Sequence, residues 1–280
     1  MPRTIDITLI TNTVKKLFIQ ANTILPERIE ECLKISATCE KTKIGRYVLE
    51  SILENVSIAK TEKLPLCQDT GIANVFVDIG QDIQLVGGTI NDAIAEGVRQ
   101  AYADGYLRKS LCDPLTRQNT GDNTPAFIHY NIVAGDKIKI IAMPKGGGSE
   151  NVSAVTMLTP SEGLAGIKKF VIEQIKKAGA NPCPPIIVGI GIGASFDKVS
   201  ILAKKALLRP VGEQNKNNVI AETERELLNE INNLGIGPAG YGGSISALAV
   251  HIDTMPCHIA SLPVAVNIQC HVARYAEETI

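Results

Sequence analysis

A chain of 280 residues with 45% hydrophobic and 20% charged residues has an ordinary globular balance and can bury a large core. Its formal net charge of −1 excludes the broad basic field that nucleic acid or an anionic membrane would require. No run approaches the roughly 18 apolar residues of a membrane-spanning helix, and the N-terminus MPRTIDITLI lacks the apolar centre of a secretion signal.

Residues 5–60 read as helices. Ile7, Ile10, Val14, Leu17 and Phe18 recur at three- and four-residue steps. A break at Leu25-Pro26 starts a second helix, with proline near the first turn and acids close behind. A third runs from Ile44 through Tyr47 and Leu53. Beyond residue 64 the pattern changes to strand-like runs at 72–79, 126–133, 137–143, 185–192, 245–252 and 263–269. Helical runs at 89–104, 161–178, 196–208 and 217–233 lie between several of them. Ala134-Gly135-Asp136 joins two strand runs and predicts a hairpin. The expected class is α/β, with a mixed, largely parallel sheet or sheets flanked by helices. One domain spanning 1–280 is expected, with 1–62 as a helical N-terminal segment within it.

Without tryptophan and with few aromatics, the core must be filled by Ile, Val, Leu and Ala. The seven cysteines, Cys32, Cys39, Cys67, Cys112, Cys183, Cys257 and Cys270, are odd in number and scattered. That argues against a disulfide framework and for a reducing, cytoplasmic setting. A single cysteine is usually a small buried hydrophobe, and Cys32 and Cys39 are assigned to helix packing. Cys112 and Cys257 stay open. Cys67 and Cys183 differ, because each lies in a loop within two residues of a proline and just before a strand. Cys270 closes the apolar run 263–269. No C-x-x-C pair points to structural zinc.

Two glycine patterns invite other readings. Gly189-Ile-Gly191-Ile-Gly193-Ala194 matches a short dinucleotide fingerprint, although close strand–helix packing explains it more plainly. Lys145-Gly-Gly-Gly-Ser149 has its lysine before the glycines, so the phosphate-loop order fails. Its backbone N–H groups could still bind a carboxylate.

Taken together, L-P-x-C-Q-D-T-G at 64–71, K-G-G-G-S-E-N at 145–151, N-P-C-P-P at 181–185 and G-x-G-P-x-G-x-G-G at 235–243 resemble class I fumarate hydratase. More narrowly, the chain is similar to the α subunit of the two-chain form, which is related to the L-tartrate dehydratase α subunit. The resemblance runs through nearly the whole chain.

The resemblance implies a [4Fe–4S] cluster held by Cys67, Cys183 and Cys270, with Cys257 as the rival for the third position. Three thiolates leave one iron open to act as a Lewis acid on a hydroxy-acid. The implied reaction is reversible hydration of fumarate to L-malate, a step of the tricarboxylic acid cycle. L-tartrate dehydration is the alternative, and a dinucleotide-binding oxidoreductase is the rival of another class. Asp69 and His258 are implied as catalytic, and Gln68, Asp69, Arg108, Gly147 and Gly148 as substrate-binding. By themselves the residues favour plainer roles: Asp69 capping its own turn, Arg108 as a solvated charge and His258 in a structural hydrogen bond. His129, His251 and His271 are expected to be structural.

The resemblance also implies partners. Single-chain members carry a further half that supplies a threonine base and additional Arg and Lys clamps, so a separate β subunit is expected. Pairing of α chains in an α2β2 assembly is expected as well, with a small dicarboxylate as substrate and neither nucleic acid nor membrane as partner. Two departures bear on this. Leu262 stands where single-chain members resemble A-S-C-P-V-G, which leaves the aligned ligands intact. Lys145-Gly-Gly-Gly-Ser149 differs from the A-G-G-G-C of tartrate dehydratases and leans toward fumarate.

Overall fold

The computed structural model describes residues 2–280. In chain order its elements are β1 (Arg3–Asp6), α1 (Ile7–Thr23), α2 (Glu27–Cys39), α3 (Lys43–Glu62), β2 (Ile72–Gly80), β3 (Ile83–Val86) and α4 (Ile90–Asp104). There follow β4 (Phe127–Val133), β5 (Ile138–Lys145), α5 (Gly147–Glu150), β6 (Ala154–Leu158), α6 (Gly163–Ala178), β7 (Ile186–Gly193) and α7 (Phe196–Ala206). The last are α8 (Asn218–Asn232), β8 (Ala247–Met255), β9 (Leu262–Gln269) and β10 (Ala276–Thr279). The α/β class, the helical N-terminal segment and the long strands fall where the sequence pattern puts them. The short strands β1, β3, β6 and β10 carry too few residues for a legible period.

The chain divides into two compact units. One comprises Met1–Pro26, Val56–Gly147 and Arg274–Ile280; the other comprises Glu27–Asn55 and Gly148–Ala273.

In the first unit, Asp6 caps α1 by accepting the Thr8 N–H at 2.8 Å. The helix buries Ile10, Val14, Leu17, Phe18 and Ala21, and α4 buries Ala93, Ile94, Val98, Ala101 and Tyr102. These two faces share one core with Val75 and Val77 of β2 and Ile138 and Ile140 of β5. The sheet order is β10-β5-β2-β4. The expected hairpin between the strand runs 126–133 and 137–143 is therefore not formed. Instead β2 lies between them, parallel to β4 (Val77 opposite Tyr130) and antiparallel to β5 (Val77 opposite Ile140). The reason is burial: β2 is largely buried on both faces and takes the centre, whereas β4 is largely exposed and suits an edge. The 134–137 loop crosses the end of β2, where Gly80 N–H donates to Lys137 O at 2.8 Å. Any side chain at Gly80 would meet Gly135 O at 2.3 Å.

In the second unit the order is β6-β9-β7-β8. Strand alternation sorts its side chains between two helical layers. Ile186, Val188 and Ile190 of β7 join Val264, Val266 and Ile268 of β9 in a core with α6 and α8. Ala265 faces Val199 and Ala203 of α7. Gly189 and Gly191 occupy the α7 face, where an added Cβ would lie 2.2 Å from Ala203 O and 2.4 Å from Val199 O. The apparent dinucleotide fingerprint is thus a strand pressed against a helix, the plainer of its two readings. Across the described residues, β1–β3, β2–β4 and β7–β8 pair in parallel and the remaining pairs are antiparallel, so the sheets are mixed without being largely parallel.

The glycine-rich stretch 235–243 also has a structural partner. The buried Glu40 carboxylate accepts N–H groups of Thr42 (2.8 Å), Ser244 (2.9 Å) and Ile245 (2.9 Å), closing the α2–α3 turn onto the end of that stretch. Burial raises its pKa, but the donors from Thr42, Ile245 and Ser244 outweigh this and hold it below the usual carboxylate range. No helix of the described residues is long and apolar enough to cross a membrane.

Buried His251 donates from Nδ1 to Ala206 O at 3.2 Å. Burial first, then the Arg209 cation, push its pKa down to about 4. An unfolded histidine takes up its proton near pH 6.5, so between pH 6.5 and 4 the unfolded chain binds the extra proton and folding stability falls as pH drops. The loss should be on the order of 3 kcal/mol. Denaturant titrations across this window should show that slope in the native protein and a flattened one in His251→Gln.

Candidate active site

The loop before β2 is organised around Asp69. Its Oδ1 accepts the Gly71 N–H at 3.0 Å, the local turn cap expected of an Asx residue. Its Oδ2 reaches far along the chain to the Gly147 N–H at 2.7 Å. The carboxylate thus does more than cap its own turn: it fastens the Cys67–Gly71 loop to the glycine loop that follows β5. The backbone there does bind a carboxylate, as its sequence suggested, and the carboxylate is the chain's own. Cys67 Sγ lies 3.4 Å from the Asp69 N–H and 3.4 Å from Gln68 Oε1, and the Gln68 side chain is exposed.

Thr70 carries the loop's third link. Its hydroxyl donates to Arg108 O at 2.8 Å, which fixes the backbone of Arg108 and leaves its guanidinium exposed. Cys67, Gln68, Asp69, Arg108 and Gly147 therefore form one connected assembly within the first unit.

The underside of the loop is held by residues that the sequence reading passed over. Arg274 Nη2 donates to Asp69 O. The Tyr102 hydroxyl lies 2.9 Å from Thr70 O and 2.8 Å from Gly71 O, and Asn123 Nδ2 donates to Gly71 O at 3.2 Å. Asn123 is itself fixed by Ser110 and Leu111 N–H groups on its Oδ1, at 2.8 and 3.1 Å. Burial pushes the Tyr102 phenol well above its ordinary range, so it remains a donor at all working pH. In the sequence Tyr102 looks like one more apolar-face residue of a helix. The available signal was Arg274, a cation among Val272, Ala273 and Ala276.

The second unit holds the other implied residues. Cys183 is exposed and sits at φ 53°, a left-handed conformation rare for a residue with a Cβ. His271, next to Cys270, donates to Cys183 O twice, from its backbone N–H at 3.2 Å and from Nδ1 at 2.9 Å. This histidine ties the Cys270 segment to the Cys183 loop. Gly148 lies on the same side: a Cβ there would stand 3.2 Å from Asn181 O, two residues before Cys183. His258 is exposed in the β8–β9 turn and accepts the Ala260 N–H on Nδ1 at 3.1 Å. With Nδ1 accepting, Nε2 is the ring's available donor. Cys257 in the same turn donates to Ser261 O at 3.2 Å.

Among the described residues, no three His, Cys, Asp or Glu side chains gather closely enough to hold a single metal ion. A cubic cluster makes a different demand, because each thiolate binds its own iron at a separate corner. Cys67, Cys183 and Cys270 suit that demand chemically: all three lie outside the helices and strands and outside any disulfide, and thiolates are the soft donors that select iron–sulfur clusters.

Comparison with known proteins agrees with the motifs. The family described as Fumarate hydratase (Fumerase) matches residues 11–279. A Methanocaldococcus jannaschii protein provisionally named L(+)-tartrate dehydratase subunit alpha is 46% identical over 277 residues, covering 97% of each chain. The L(+)-tartrate dehydratase subunit alpha of Escherichia coli strain UTI89 is 33% identical over 269 residues, 95% of this chain and 88% of that one. Its counterpart in strain K12 is 32% identical over the same length. The chain belongs to the fumarate hydratase family.

Removing the Asp69 carboxylate should release both loops. Asp69→Ala is expected to lose about 2 kcal/mol of stability, the scale of two partly exposed hydrogen bonds to a charged group. Amide exchange at Gly71 and Gly147 should accelerate together; acceleration at Gly71 alone would show that the long-range link carries little.

Proposed function

We propose that this chain is the α subunit of an iron–sulfur hydro-lyase that interconverts fumarate and L-malate in the cytoplasm with a separate β subunit. The observation that carries the reading is the assembly in which Asp69 links the Cys67 loop to Gly147 while Thr70 links it to Arg108. It puts a thiol, an amide side chain, a carboxylate, a planar cation and a glycine backbone on one hydrogen-bonded frame. A small hydroxy-dicarboxylate offers partners for each of these.

The chain's own groups divide the work by chemistry. Arg108, with its backbone pinned, offers a forked donor that matches a substrate carboxylate better than an ammonium would. Gln68 supplies both a donor and an acceptor for a substrate hydroxyl or carboxylate. Two of the roughly four lone-pair positions of Asp69 are filled by amides, and the remainder can accept from the substrate hydroxyl. The Nε2–H of exposed His258 is a donor for a substrate oxygen or a departing hydroxide. Cys67, Cys183 and Cys270 would hold the [4Fe–4S] cluster, which supplies Lewis acidity at its open iron. The β subunit supplies the base that removes the proton from the neighbouring carbon. Seven cysteines without a disulfide among the described residues support a reducing compartment.

L-tartrate is the second reading, favoured by the names of the relatives; the Lys145-Gly-Gly-Gly-Ser149 stretch favours fumarate. An anaerobic preparation with its β partner should show a kcat/KM for L-malate or fumarate at least about tenfold above that for L-tartrate, a discrimination of about 1.4 kcal/mol. The reverse ratio would assign it to tartrate.

Replacing the thiols one at a time tests the cluster. Cys67→Ser, Cys183→Ser and Cys270→Ser should each abolish the visible charge-transfer absorbance and lower the iron and acid-labile sulfide content. Cys32→Ser and Cys257→Ser should leave both intact. Bleaching in Cys257→Ser but not in Cys270→Ser would move the third ligand.

A further inference from the structure

Three consecutive carbonyls, those of Asp69, Thr70 and Gly71, are gripped from below by Arg274, Tyr102 and Asn123. All three side chains are buried, at 3%, 0% and 1% exposure. Two of them are neutral, as suffices for donors to peptide oxygens. The third is a cation that, among the described residues, forms no ion pair, and its Nε and Nη1 reach no acceptor there. Burying a charge without a counter-charge is expensive. A neutral amide could hold one carbonyl without that cost, so anchoring alone does not explain an arginine here.

What distinguishes the position is that Asp69 is held at both ends. Its carbonyl takes the charged donor of Arg274, and its carboxylate takes Gly71 and Gly147. A hydrogen bond from a charged donor is shorter and stronger than one from a neutral amide. It fixes the plane of the Asp69–Thr70 peptide, and that plane sets the direction of the Asp69 side chain and of the two residues before it. The cation also lies beneath a loop that presents one carboxylate and would receive a doubly charged substrate. Its charge offsets the repulsion those anions exert on each other.

We propose that Arg274 is a positioning residue for the Cys67–Asp69 loop. Its charge on the Asp69 carbonyl aims the Cys67 thiol, the Gln68 carboxamide and the Asp69 carboxylate. The role in turnover rests on the hydro-lyase reading above; the role in aiming the loop does not.

The test uses two variants of the full chain and two kinds of measurement. Arg274→Gln keeps a neutral donor, and Arg274→Lys keeps a charge. In the cluster-free chain, alkylation of each thiol by iodoacetamide is followed by peptide mass mapping, and amide exchange is followed at Gly147. Arg274→Gln should change the Cys67 alkylation rate and the Gly147 exchange rate several-fold, with Cys39 and Cys257 unchanged as internal controls. Arg274→Lys should return both rates part of the way. In the holoenzyme Arg274→Gln should lower kcat by about tenfold or more, the scale of a misaligned reactive group, with KM changing much less. A folded Arg274→Gln chain with native rates at Cys67 and Gly147 overturns the proposal whatever the enzyme's substrate. Should Arg274→Gln fail to fold, native rates in Arg274→Lys with native kcat support the need for charge, and native rates with a lowered kcat overturn the positioning role. Absence of turnover in the native holoenzyme would instead remove the hydro-lyase reading and leave the labelling result standing.

Discussion

The Asp69 carboxylate accepts N–H groups from Gly71 and Gly147 while the carbonyl of the same residue accepts from Arg274. Most of the first unit's loop structure follows from that pair of constraints. The local bond to Gly71 shapes the turn into β2. The distant bond to Gly147 requires β5 to end beside the start of β2, which their antiparallel register provides by setting Ile72 opposite Lys145. Thr70 then brings in Arg108, and Tyr102 and Asn123 close the underside. A sequence run of thiol, amide, carboxylate and hydroxyl is thus one turn whose polar groups each have separate work.

The second unit uses the same device with different residues. Glu40 draws three backbone N–H groups onto one buried carboxylate and fastens the end of a glycine-rich loop. His271 uses two donors on one carbonyl to fasten Cys183. In each case a side chain from a remote part of the chain satisfies backbone groups that a loop cannot pair by itself, as buried peptide groups demand. These links explain why the family's motifs are rich in glycine: the backbone must come close enough to be bonded.

Period and burial made most of the fold readable in advance. The apolar steps of α1 and the apolar runs of β2, β7 and β9 announce their elements through side-chain spacing alone. Partner choice was less accessible. Nothing local in Ala134-Gly135-Asp136 reveals that β2 inserts between the strands it joins, because that is decided by which strand has two faces to bury. Of the site, the residues in the quoted motifs could be found because they stand together in the sequence. Arg274, Tyr102 and Asn123 act through space from three separate segments, and no spacing rule connects them. The glycines of β7 illustrate the opposite hazard. Their two-residue rhythm imitates a nucleotide loop and arises from an alternating strand whose bare face meets α7.

The first unit is assembled from three stretches of chain, and the last of them, Arg274–Ile280, follows the whole of Gly148–Ala273 in sequence. Strand β10 pairs with β5, and Arg274 reaches back to a residue 205 positions earlier. On the ribosome, α1, β2, α4, β4 and β5 emerge first yet must wait for Arg274–Ile280 before the sheet gains β10 and the Asp69 carbonyl its donor. Contacts of such long range form late because loop closure precedes their reward. Maturation of the two units is therefore not simply sequential: segments of the first unit made before Gly148 are finished by Arg274–Ile280, which is made only after Ala273.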